Sequence, residues 1–197
     1  METKNSSKAF KILMLTVVLV IVGLIITGFV VFSLKGKEVI EEEENGANLI
    51  ITYTDNATGL KITDSPKISD EVGMKKDGKG EYFDFSVDVD LDNASLVEYE
   101  IGIVKNMKNT NITNDDIRIY LEKEISGTYT KVFGPDKFIP LTKKSEYGSK
   151  IGTMVLYKFK KENSTADNYR LRMWLSDKAS VDKGNFDVEV VLSGKAK

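Results

Sequence analysis

The sequence predicts an all-β fold, an antiparallel two-sheet β-sandwich of jelly-roll or immunoglobulin-like kind, preceded by one N-terminal transmembrane α-helix. Three observations predict it. Ile12 to Phe32 is a run of 21 residues with no charge and no proline. From Asn48 onward, short segments alternate apolar and polar residues and are separated by Gly, Pro, Asn and Asp. After the apolar run, no stretch carries a convincing helical period. The chain therefore divides into a cytoplasmic tail over 1–11, a membrane helix over 12–34, an acidic stem over 35–47 and an extracytoplasmic sandwich over 48–197.

A helix of 21 residues at about 1.5 Å per residue is about 31 Å long, which matches a hydrocarbon core of about 30 Å. A cleaved signal peptide would have a shorter apolar core and a small-residue site. The best such pair here, Val31-x-Ser33, is poor, so an uncleaved anchor is expected. Lys4, Lys8 and Lys11 precede the run and Lys35 and Lys37 follow it, which sets the N-terminus inside and the domain outside the plasma membrane in a single pass. The lipid bilayer is thus an expected partner through Ile12–Phe32. Gly23 and Thr27 share one helix face, and small residues at that spacing let a second helix approach. A helix with no partner accounts for so short a motif more simply.

The stem carries Glu38 and Glu41 to Glu44 and reads as a solvated extension of the helix or a loose spacer. Asn48 to Thr54 is rich in β-branched and aromatic residues and reads as the first strand. Leu60 to Thr63 reads as a second, and Asp64 to Gly80 as a loop. Glu81 to Leu91 is the clearest strand: Phe83, Phe85, Val87, Val89 and Leu91 point one way, and Tyr82, Asp84, Ser86, Asp88 and Asp90 the other. Inward rows follow at Val97, Tyr99, Ile101, Ile103; at Ile117, Ile119, Leu121; at Tyr169, Leu171, Met173, Leu175; and at Phe186, Val188, Val190, Leu192. Gly127 to Phe133 reads as a strand after a hairpin turn. Ile151 to Lys160 is apolar on both faces, which predicts cover on both, with the irregular stretch 134–150 as one cover.

Composition excludes several functions. There is no Cys and no His, so thiol chemistry, disulfides and histidine-based zinc or general-base sites are absent. From Leu49 onward 23 Lys and Arg meet 24 Asp and Glu, a near-neutral balance that argues against nucleic acid as a partner. No phosphate-binding glycine loop occurs, and no pair of carboxylates is singled out for catalysis. No catalytic residue, cofactor or metal is therefore expected. Asp88-x-Asp90-x-Asp92-Asn93 looks like the start of a calcium loop, but the Gly and Glu positions of an EF-hand hold Asn93 and Tyr99. A solvated strand face explains these acids better. The N-x-[ST] triplets, such as Asn56-Ala-Thr58, read as turns. Arg170, Arg172 and Trp174 share the face opposite the inward row of their strand and form a candidate binding surface. The alternative, which carries more weight, is that Trp174 packs under a loop and the arginines pair with acids.

Ser65-Pro-Lys-Ile-Ser-Asp70 and Gly73 ahead of Tyr82-Phe-Asp-Phe-Ser-Val87, with Tyr169-Arg-Leu-Arg-Met-Trp-Leu-Ser176 before a final strand, resemble exported surface proteins of low-GC Gram-positive bacteria and, distantly, the TasA/camelysin family of biofilm-matrix proteins. That resemblance implies a jelly-roll-like sandwich, a surface location and an assembly or matrix role. Its peptidase label does not carry over to a chain without His. The expected function is a membrane-anchored surface module that binds an unknown protein or cell-wall partner or serves structure. The alternatives are an accessory or sensor subunit of a membrane complex and a released matrix protein. With its helix retained, the chain is expected to pair Leu49 to Tyr53 within its own domain rather than lend that strand to a fibre.

Overall fold

A computed structural model describes residues 37–42, 47–53, 57–75, 80–91 and 94–197. The expected tail and membrane helix, with Gly23 and Thr27, lie outside the described residues, as does Asp92. Among the described residues no helix is long and apolar enough to cross a membrane.

Among the described residues eleven strands follow one another: β1 (Lys37–Glu42), β2 (Ala47–Tyr53), β3 (Gly59–Thr63), β4 (Lys67–Ile68), β5 (Glu81–Asp90), β6 (Val97–Lys105), β7 (Ile117–Ile125), β8 (Thr128–Asp136), β9 (Thr153–Lys161), β10 (Thr165–Ser176) and β11 (Asn185–Ala196). Seven form the larger sheet, in the order β1-β2-β5-β10-β7-β8 with β4 added alongside β10, and four form the smaller sheet, β3-β11-β6-β9. All pairings are antiparallel except that of β4 with β10. The fold is all-β, two sheets closing on one core.

Alternation builds that core. Every inward row read from the sequence is buried in it, including Phe85, Val87, Tyr99, Ile101, Leu121, Tyr169, Met173 and Phe186. Because successive strand side chains leave on opposite faces, one apolar row per strand covers the inner face of each sheet. Burying such a row stabilises by about 1.5–3 kcal/mol per large side chain. Three phenols enter the same core: Tyr53 donates to the Val190 carbonyl at 3.4 Å, and the Tyr99 and Tyr169 hydroxyls satisfy each other at 3.2 Å. Burial raises the pKa values of Tyr99 and Tyr169.

Three features depart from the sequence reading. Within the expected acidic stem, Lys37–Glu42 is strand β1, paired with β2 from Lys37↔Thr52 to Glu42↔Ala47. Its central Val39-Ile40 favours extended backbone, and β2 would otherwise present an open edge. β2 pairs on its other side with β5, so Leu49 to Tyr53 does pair within its own domain. The expected loop 64–80 contains β4 and a helical turn, α1 (Asp70–Gly73), which starts where the Ser69 hydroxyl accepts the Val72 N–H. Lastly, β9 is two-sided for a local reason. The register against β6 slips between Ile101 and Gly102, whose partners are Tyr157 and Val155. The extra residue, Leu156, swaps the faces, so Met154 ahead of the bulge and Tyr157 and Phe159 after it all pack on the core. The preceding loop also supplies cover: Ser145 and Ser149 donate to Glu100 on the outer face of β6 at 2.7 and 2.6 Å.

Candidate functional site

The outer face of the larger sheet gathers the polar rows that alternation turns away from the core. Pairing sets them in register. Thr52 lies opposite Ser86, Ser86 opposite Asn168, and Glu124 opposite Tyr129. One row along, Asp84, Arg170, Glu122 and Lys131 stand side by side across β5, β10, β7 and β8. The next row is Tyr82, Arg172 and Tyr120, and beyond it Trp174 stands opposite Arg118.

The residues expected as a binding surface fall at two levels of this face. Trp174 and Arg172 are buried, each 1% exposed, while Arg170 is half-buried. β4 runs parallel to the end of β10, which carries α1 across the indole. A Cβ on Gly73 would stand 2.3 Å from the Trp174 ring, so only glycine lets the turn lie this close. The indole N–H donates to Asp70 at 3.2 Å, and Ile68, Tyr120, Val72 and Met74 complete its surroundings. Arg172 donates through Nε to Glu122 at 2.8 Å, and its Nη1 has no partner among the described residues. Trp174 thus packs beneath a turn and both arginines pair with acids.

Arg170 is the hinge between the covered and the open parts of the face. Its Nε and Nη2 donate to the two Asp84 oxygens at 2.6 Å each, a bidentate pair. That pair raises the Arg170 pKa still further, so the guanidinium is charged at any working pH. Tyr82 and Tyr129 flank it with ring centroids 4.6 and 4.3 Å from Cζ. Tyr129 reaches there from β8, across β7. Burial, with Asp84 nearby, raises its hydroxyl pKa.

Beside this stack is an open depression of about 320 Å³ lined by Thr52, Tyr53, Asp84, Phe85, Ser86, Tyr129 and Asn168. The Asn168 amide N–H donates to Glu124 at 2.7 Å, and Thr52 donates to Asp88 at 3.3 Å. The hydroxyls of Ser86, Tyr82 and Tyr129 form no hydrogen bond among the described residues. Of the acids read as a calcium-loop start, Asp88 meets Thr52 and Asp90 meets the Ser164 hydroxyl at 3.4 Å. Among the described residues no three His, Cys, Asp or Glu side chains converge as a metal site would require.

Sequence reasoning placed Arg170 on the correct face but missed Tyr82, Tyr129, Asn168 and Ser86 as its companions. The available signal was an aromatic in the polar row of β5, at Tyr82, where alternation calls for a solvated residue. Strand order, which brings β8 within reach of β10, was not legible. Fold and face together define an all-β sandwich domain with a polar, aromatic-edged sheet surface. No protein-family model matches the chain, and no curated protein matches its sequence.

Proposed function

We propose that this chain is a non-catalytic surface module, an extracytoplasmic β-sandwich tethered to the plasma membrane through Ile12–Phe32 and acting by binding or structure. The observation that carries it is the uncharged 21-residue run standing directly ahead of the first strand, with its lysine majority on the N-terminal side. An all-β domain with solvated outer rows, no Cys and no His suits an exposed module that recognises rather than reacts. Its partner is a cell-wall component or another protein, with no role for nucleic acid.

Protease added to intact cells or protoplasts tests this directly. The domain should be digested while a tag ahead of Lys4 stays protected. Full protection of the domain overturns the orientation. Mass spectrometry of the mature N-terminus adds the second half: a start between Ser33 and Asn48 would replace the tethered module with a released one.

A further inference from the structure

We propose that the depression between β2, β5, β10 and β8 is a binding site for a neutral glycan, a hexose unit of an oligosaccharide seated against Tyr129 and hydrogen-bonded by Ser86, Asn168 and Asp84. Three observations lead there. The lining combines hydroxyls, a carboxamide and a carboxylate with aromatic ring edge, the mixture that sugar hydroxyls and sugar C–H faces need. Its volume of about 320 Å³ lies at the small end of ligand sites, about 300–1,000 Å³. The groups are also held in place before any ligand arrives: the Asp84–Arg170 fork fixes the carboxylate, the guanidinium fixes both tyrosine rings, and Glu124 fixes the Asn168 amide with its carbonyl left to accept.

Charge selects against the other ligand classes. An anion would meet Asp84, Asp88 and Glu124, while the guanidinium at the rim is already paired with Asp84 and Lys131 on β8 stands opposite Glu122. A quaternary or primary ammonium would seek the space between Tyr82 and Tyr129, and Arg170 fills it. An apolar ligand would leave free hydroxyls buried and unpaired. A neutral polyhydroxylated ring satisfies all of these groups at once. Tyr82, 53% exposed, lies beyond Arg170 and extends the platform for a second sugar ring.

The inference rests on the surface-module reading only for access to glycan, because binding is measured on the purified full chain. The chain is held in a detergent without a sugar head group, its tyrosines carry ring ¹³C labels, and short linear β-glucan, α-glucan, mannan and chito-oligosaccharides are each added to about 10 mM, tenfold above a Kd of about 1 mM. At least one should shift the Tyr129 and Tyr82 ring signals and leave Tyr147, in the loop before β9 and beside Lys158, in place. Asn168→Ala and Tyr129→Ala should each weaken that binding about tenfold. Asn168 is exposed, so its variant tests the site without testing the fold. Absence of shifts with all four glycans overturns the proposal, as do shifts that survive both substitutions. Neither result bears on protease access at the cell surface, which decides the tether separately.

Discussion

On the outer face of the larger sheet the acids Glu122 and Asp84 are met by Arg172 and Arg170, whereas on the outer face of the smaller sheet Glu98 and Glu100 are met by lysines and serines. The arginines sit 1% and 12% exposed in their side chains, stacked against tyrosines. The lysines Lys158, Lys160 and Lys197 stay 50%, 64% and 59% exposed. A guanidinium is planar, weakly hydrated and able to stack, so it can be enclosed beside an acid. An ammonium is strongly hydrated and pairs from the solvent side. The outer face of the larger sheet therefore carries ion pairs that behave as packing, and the outer face of the smaller sheet carries pairs that answer to salt and acid.

The sharpest way to break this contrast is at the covered end of the larger sheet. Trp174→Ala should cost about 3–5 kcal/mol in urea unfolding, since the indole is enclosed by α1, Tyr120 and Ile68. A loss below about 1 kcal/mol would mean that α1 does not roof the ring in solution. Glu122→Ala strands the enclosed Arg172 guanidinium and should cost about 3 kcal/mol, nearly unchanged in 1 M salt. If the loss shrinks strongly in salt, the two faces are alike and the comparison fails. On the smaller sheet Ser149→Ala removes one of two hydroxyls donated to Glu100 and should cost about 1–2 kcal/mol.

Acid sharpens the difference further. Hydrogen bonds from Lys160 and Lys197 hold the Glu98 carboxyl down at about 2, against an ordinary value of 4.5. A depressed folded-state pKa stabilises above the unfolded value and loses that contribution as protons bind the folded form. The contribution should therefore be complete above pH 4.5 and disappear as pH falls towards 2. Asp167, in the inward row of β10 and so outside the comparison of outer faces, has the same sign: burial pushes its pKa up, but hydrogen bonds from Lys123 and Lys161 outweigh this and leave it lowered. Melting followed by circular dichroism should show the wild-type chain losing stability across that window and Glu98→Gln losing less. Equal acid slopes would remove Glu98 from the account. The smallest effect belongs to the exposed pair of Glu71 on α1 with Lys75 just beyond it, where Glu71→Ala should change stability by about 0.5 kcal/mol or less.

Which residues enter the core is legible from alternation, because strand geometry sends alternate side chains to opposite faces and Phe83 to Leu91 or Tyr169 to Leu175 need no other information. The sequence by itself also determined that the chemistry available lacks thiol and imidazole. It could not show β1, since Glu38, Glu41 and Glu42 describe solvation and not the edge of β2 waiting beside them. Nor could it show the slip at Leu156, where one unpaired residue exchanges the two faces of β9. The tertiary structure alone decided which polar residues meet. Arg170 lies 41 residues from Tyr129 and 88 from Tyr82 in the numbering, and only the strand order β5-β10-β7-β8 sets the guanidinium between the two rings. Alternation is a local property of the chain and can be read along it. Register and strand order are set by long-range pairing and by the fit of whole faces, and local spacing carries no record of them.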